Sequence, residues 1–275
     1  MKNHITISKI APIAAVLFLS MSCSSYQSLL NSDNVEKKYE AAKEYYNDKE
    51  YQKALPLFED ILTYYRGTTK GEKVLFYYAY CQYGVNKLEM ASFRFKNFYD
   101  TYPNSEFAEE SLYMYAYCLY LKSPPIELDQ STSRKAIDAF QLFTNRYPNS
   151  DRIEKCNKFI DQLRNKLEHK AFQRARLWFQ IQDYKAALRS FRNFINEYPV
   201  SGKKEKAKFY SLKSQYKIAE KSVATKMEER LKKTIRKYRE FTKTYPDSEF
   251  YSEAIEIGEK AKSNLEQFKN DRQNG

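Results

Sequence analysis

Phe98-Tyr99-Asp100-Thr101-Tyr102-Pro103-Asn104-Ser105 decides the fold because it returns three times. Residues 143–150 read FTNRYPNS, residues 194–201 FINEYPVS and residues 241–248 FTKTYPDS. Each copy ends a stretch of helical apolar periodicity at its Phe and Tyr. The proline that follows has no backbone donor and biases the residue before it away from the helical region, so the helix stops there. The Ser, or the Asn or Asp before it, is suited to cap the next helix through its side-chain oxygen. Glu106 and Glu249 follow the first and last copies, where the dipole of a new helix favours an acid. F-x-x-x-Y-P-x-S is therefore a helix–turn–helix joint used four times.

Outward from the joints the composition is helical. Only 6 Gly and 8 Pro stand among 275 residues, and no β-type alternation is present. With the first unit numbered from Val35, Ala42, Tyr45, Ala54 and Phe58 fall at positions 8, 11, 20 and 24. Numbered from Glu72, Leu75, Ala79, Ala91, Phe95, Phe98 and Pro103 fall at 4, 8, 20, 24, 27 and 32. The unit from Glu168 gives Ala175, Trp178, Ala187, Phe191, Phe194 and Pro199 in the same register. This resembles the tetratricopeptide pattern of small residues at 8 and 20, aromatics near 11 and 24 and Pro at 32. The small residues let two antiparallel helices cross closely, and one hairpin buries its apolar face only by stacking on the next.

The expected fold is all-α, a tetratricopeptide-repeat superhelix of about five helical hairpins with a terminal capping helix. Hairpins are expected at 35–69, 70–104, 105–149 with an inserted loop, 150–200 with a lengthened first helix, and 201–247, which is degenerate. A helix and tail follow at 248–275. The first hairpin lacks the closing proline and has Arg66-Gly67 there instead.

Residues 1–22 read as an address. Lys2 and Lys9 precede an apolar run from Ile10 to Met21, too short for a membrane span of roughly 20 residues. Leu19-Ser20-Met21-Ser22-Cys23 resembles the lipobox of bacterial lipoproteins. That resemblance implies cleavage after Ser22, a diacylglycerol on Cys23 as the attachment to the membrane and, with Ser24 following, sorting to the outer membrane. Residues 23–34 read as a short polar tether.

The leading helices of the first three units carry a second regularity, a 37-residue spacing. Tyr39, Phe76 and Tyr113 share position 5, Tyr46, Tyr83 and Tyr120 position 12, and Tyr80 and Tyr117 position 9 with Lys43 as their counterpart. In repeats of this type those positions face the concave groove, and the core is already supplied by positions 8, 20, 24 and 27. The eight rings are the candidate wall for an extended peptide, since a hydroxyl at the ring tip suits a half-wet surface. The alternative is that they are packing aromatics.

Charge divides along the chain. Residues 151–275 carry 30 Lys and Arg against 18 Asp and Glu, whereas residues 24–150 carry 15 against 17. Lys203, Lys204, Lys206 and Lys208 form the candidate patch for docking an acidic partner or anionic headgroups. A nucleic-acid partner is not expected of an exported chain. His4 and His169 are the only histidines, and no metal cluster, phosphate loop or nucleophile–base arrangement stands out. An enzyme is the least favoured class, and no cofactor or metal is expected. Cys81 and Cys118, at equivalent positions one repeat apart, are expected to stay reduced.

Five helical hairpins, a lipobox and F-x-x-x-Y-P-x-S joints together resemble the BamD family of outer-membrane protein assembly factors, over Val35 to about Phe268. The resemblance implies a lipid-anchored periplasmic scaffold at the outer membrane. It would bind unfolded outer-membrane proteins, the BamA-type barrel insertase and other assembly subunits. Its first repeats would face the substrate and its later ones the insertase. Two other readings stay open: a periplasmic repeat protein coordinating envelope constriction or peptidoglycan synthesis, and a carbohydrate-binding lipoprotein.

Overall fold

The computed structural model describes residues 25–274, and the leader 1–22 and Cys23 lie outside the described residues. Among the described residues there are helices and turns and no strand. A short helix, α1 (25–30), is followed by α2 (Val35–Asn47), α3 (Tyr51–Ile61), α4 (Thr69–Gly84), α5 (Leu88–Thr101), α6 (Ala108–Leu121) and α7 (Ser131–Arg146). Then come α8 (Ile153–Gln180), α9 (Tyr184–Glu197), α10 (Lys204–Glu220), α11 (Ala224–Thr244) and α12 (Tyr251–Asn274). Helices that pack extensively are neighbours in sequence, or next but one as in α2 with α4 and α10 with α12. The chain divides into two compact units, the first ending at Leu163 and the second beginning at Arg164.

The four joints have one geometry. The Tyr amide donates to the carbonyl of the Phe four residues earlier: Tyr102 to Phe98 at 2.8 Å, and Tyr147 to Phe143, Tyr198 to Phe194 and Tyr245 to Phe241 at 2.9 Å. The same Phe and Tyr rings lie 5.3–5.5 Å apart in every copy. The Ser hydroxyl then accepts from the amide two residues on: Phe107 and Arg152 at 3.3 Å, Lys203 and Phe250 at 3.0 Å. The Ser closes the turn that leads into the next helix and does not occupy the N-cap itself. In α6 and α10 that place belongs to Phe107 and Lys203, which cap with no side-chain bond.

The first joint reaches the same end by other means. Gly67 takes φ +77°, a left-handed conformation costly for a residue with a Cβ. Thr68 caps α4, its Oγ1 accepting from the Gly71 amide at 3.0 Å. Turns inside hairpins are of a different kind: Lys49, Asn86 and Gln182 adopt φ of 60–63° and end α2, α4 and α8 in left-handed caps.

In the first unit, Ala42, Ala54, Ala79, Ala91, Ala116 and Ala136 are all fully buried where paired helices cross. Phe58, Phe95, Phe98, Phe140 and Phe143 fill the space between hairpins and are fully buried. The segment read as a polar tether is a correction. Tyr26 and Leu30 pack on the first hairpin, Leu29 is buried there, and the Tyr26 hydroxyl donates to the Lys53 carbonyl at 2.9 Å. The apolar residues of that stretch gain more from burial than a solvated linker would. In the inserted loop, buried Gln130 bonds the Pro125 and Leu128 carbonyls at 2.7 and 3.0 Å and accepts from Ser133 at 2.7 Å.

In the second unit, Phe172, Phe191 and Phe194 pack with Ala175 and Ala187. The next hairpin keeps the geometry with different residues: Leu212 and Thr234 take the two crossing positions, and the Thr234 hydroxyl donates back to the Arg230 carbonyl at 3.0 Å. A Cβ on Gly258 would stand 2.5 Å from the Tyr238 ring, so glycine is what lets α12 lie flat on α11. The tail expected beyond Phe268 is helical to Asn274.

Candidate functional site

The eight candidate wall residues fall into two layers of the first unit. Tyr39, Phe76 and Tyr113 are buried at 4, 6 and 6 % exposure, which departs from the expectation that they face an open groove. Each leans on the end of its hairpin where the joint folds over it. Tyr39 meets Tyr65 at 5.8 Å, Phe76 stacks on Phe107 at 4.4 Å and meets Phe98 at 5.9 Å, and Tyr113 meets Phe143 at 5.7 Å. They are the floor.

Tyr46, Tyr80, Tyr83, Tyr117 and Tyr120 are half-buried and touch in sequence. Ring centroids run Tyr46–Tyr80 at 6.2 Å, Tyr80–Tyr83 at 6.4 Å, Tyr83–Tyr117 at 6.3 Å and Tyr117–Tyr120 at 6.1 Å. Phe159, on α8, extends the row at 4.3 Å from Tyr120. The row thus crosses from α2 through α4 and α6 to α8. Lys43, the non-aromatic member of position 9, lies 5.7 Å over Tyr39 and pairs with Glu40 at 3.3 Å.

A polar network that the repeat register does not announce sits beneath this row. The Tyr80 hydroxyl donates to Glu110, and the Arg152 guanidinium pairs with the same carboxylate. Arg152 also lies 4.4 Å over the Tyr113 ring. Lys155 stands 5.8–5.9 Å from the Tyr117, Tyr113 and Phe159 rings. Burial pushes the Tyr80 phenol above its usual range, and the Glu110 charge and hydrogen bond push it further. Burial does the same to Tyr46. Both phenols therefore keep their protons at neutral pH, and that of Tyr80 serves as a hydrogen-bond donor, not a nucleophile. The sequence signal for this network was Arg152 just after the second Tyr-Pro joint, where the other joints have Phe107, Lys203 and Phe250.

The candidate docking lysines are half-buried in the second unit, each with a partner inside it. Lys203 donates to Glu168 at 2.7 Å and Lys204 to the Pro199 carbonyl at 2.8 Å. Lys206 lies 5.6 Å over Phe250, and Lys208 5.6 Å over Tyr245. Glu168 also accepts from Ser201 at 2.9 Å. Burial works against its charge, yet these two hydrogen bonds hold its carboxyl below the usual range. Its neighbour His169 is exposed and bonds Gln173 at 3.2 Å.

Cys81, Cys118 and Cys156 are free and buried. Burial pushes the first two thiols up to about 12 and the third to about 11. Only the thiolate is reactive. Mass spectrometry of folded protein treated with iodoacetamide at neutral pH should therefore show none of the three modified within an hour-scale reaction, and denaturant should open all three. A bridge between Cys81 and Cys118 in unreduced protein would contradict the observed packing. Among the described residues no group of His, Cys, Asp and Glu is placed to hold a metal. No described helix is long and apolar enough to cross a membrane.

A family model described as "YfiO: Outer membrane lipoprotein" matches residues 31–231. No curated relative matches. Among solved structures, a chain from "Computational Design of Self-Assembling Cyclic Protein Homooligomers" aligns at 14 % identity over 96 % of this chain and 99 % of its own, with a TM-score of 0.26, too low to carry an argument.

Proposed function

Because the chain belongs to the YfiO family of outer membrane lipoproteins, we propose that it is a BamD-type scaffold for outer-membrane protein assembly, a binding protein and not an enzyme. In this reading Cys23 carries the lipid anchor and the chain works at the periplasmic face of the outer membrane. The second unit, with Lys203, Lys204, Lys206 and Lys208, docks the barrel insertase. The first unit holds an extended segment of an unfolded barrel protein, most naturally its aromatic-ended terminal strand.

The observation that carries this reading is the continuous half-buried row from Tyr46 to Phe159. A fully sealed row would be core, and scattered exposed rings would be ordinary surface. Rings in contact across successive hairpins, with hydroxyls at their tips and the cations Arg152 and Lys155 beside them, offer apolar side chains a ledge and a carboxylate a counter-charge.

The test is binding of a fluorescent terminal-strand peptide to the lipoprotein in detergent. The variant replaces Tyr46, Tyr83 and Tyr120 with Ala. A few anchors dominate such interfaces, each worth roughly 1–3 kcal/mol by apolar burial, so affinity should fall on the order of a hundredfold. Circular dichroism should show the helices intact. Unchanged affinity in the folded triple variant would remove the peptide-binding assignment. Envelope pull-downs in which division proteins or a glycan porter replace the insertase would remove the assembly assignment.

A further inference from the structure

A cleft lies wholly within the second unit, whereas the aromatic row belongs to the first. Its volume is about 180 Å3, and Arg192 of α9, Lys208 and Ser211 of α10 and Lys237 and Glu240 of α11 line it. Sites for drug-sized molecules run roughly 300–1,000 Å3, so this one has room for a single small group. Three cations converge on it, and none of the three is ion-paired among the described residues. The one acid, Glu240, faces Arg236 at 3.9 Å and is largely exposed.

Lys237 is the informative member. Its ammonium has three donors. One is given to the hydroxyl of Ser211 at 3.1 Å, and among the described residues no carboxylate takes the others. Burial pushes this lysine below its usual range. Glu240 opposes that shift, while Arg236, Arg192 and Lys208 add to it. A half-buried cation held among like charges is destabilising unless something neutralises it.

The fold does not ask for it. Lys237 stands three residues after the crossing residue Thr234. Three residues after Ala54, Ala91, Ala136 and Ala187 stand Leu57, Arg94, Ala139 and Ser190. The places of Arg192 and Lys208 are taken by Glu59 and Leu75 between the first two hairpins, and by Lys96 and Leu112 between the second and third. At each of these counterparts a cation, where there is one, meets an apolar, small or acidic residue: Glu59 and Leu75 beside Arg94, Leu112 and Ala139 beside Lys96. Only between α9, α10 and α11 do three cations meet.

We propose that this cleft is a binding site for a phosphate-class oxyanion, either a free phosphate or the headgroup of a phosphomonoester lipid, held by Arg192, Lys208 and Lys237. The group accepts the unused donors of Lys237 and neutralises the three charges. It leaves the peptide-binding row untouched, because row and cleft belong to different units.

The experiment is thermal unfolding of the detergent-solubilised lipoprotein, with calorimetric titration of inorganic phosphate, against sodium chloride of matched ionic strength. Phosphate is expected to raise the midpoint beyond chloride. Lys237→Met keeps the stem and removes the charge. It should raise the midpoint without phosphate and weaken phosphate binding about tenfold or more, the loss of one charge-assisted hydrogen bond. Arg192→Gln, at an exposed position that the core does not use, should weaken binding similarly and leave the fold alone. A phosphate response no larger than chloride's, or wild-type affinity in both variants, overturns the proposal. So does binding of an aspartate-rich peptide without any phosphate response. Titration with a short-chain phosphatidic acid separates the sources: tighter binding than inorganic phosphate assigns a lipid headgroup, weaker binding a free phosphate.

Discussion

Replacing Phe98 with Ala is expected to lower the unfolding free energy by about 3–5 kcal/mol. Phe98 has no solvent exposure. It is the first residue of the recurring joint, and its ring meets Tyr102 at 5.4 Å, Phe76 at 5.9 Å and Phe107 at 6.4 Å. Those partners come from the turn, from the helix before and from the entry to the helix after. The backbone of the joint fixes Tyr102 and Phe107, and α4 holds Phe76, so the cavity left by truncation does not collapse, and unfilled cavities are what make such changes costly. Phe93→Ala is the control on the same helix. That ring is 60 % exposed, and its loss should shift stability by no more than about 0.5 kcal/mol. Urea titration followed by circular dichroism measures both. Equal effects at the two positions would mean that the joint does not organise the core.

Glu110→Ala should cost about 2–3 kcal/mol, by leaving groups unpaired and not by leaving a void. The carboxylate takes the Arg152 guanidinium and the Tyr80 hydroxyl together. Without it both groups remain partly desolvated with no acceptor. The side chains of Glu110 and Arg152 are 24 and 33 % exposed, which places the cost below that of a sealed ion pair. Non-additivity is the signature. In a double-mutant cycle, Arg152→Ala in the Glu110→Ala background should cost much less than it does alone, with a coupling of roughly 1–3 kcal/mol. Additive losses would show that the pair contributes nothing as a pair.

Much of the fold was legible in the residues. Tyr-Pro-x-Ser marks where a helix must stop and the next begin, and the alanines at crossing positions mark which faces meet. The turns inside the hairpins were not legible, because Lys49, Asn86 and Gln182 share a left-handed conformation and no residue type. The wall was legible in one dimension only. Positions 5, 9 and 12 lie on one stripe of a helix of 3.6 residues per turn, so periodicity groups Phe76 with Tyr80 and Tyr83. It does not say how far along the axis the stripe is covered. Position 5 lies at the end closed by the joint, where the ring packs on the joint's own Phe, as Phe172 on Phe194 at 5.4 Å and Phe209 on Phe241 at 5.8 Å also do. Position 12 lies at the other end. The pairing of Arg152 with Glu110 and the cation cleft were hard to read for another reason. Each is assembled from positions that the repeat leaves free to vary, by residues far apart in sequence.

The packing of helices on their neighbours in sequence also sets an order of assembly. Contacts between nearby segments close short loops, and chains built of them fold quickly. When the chain is delivered amino-terminus first, α2 and α3 have their partner as soon as α4 is present. Within each unit a later hairpin adds to a surface that already exists, and its helices need no distant partner to pack against.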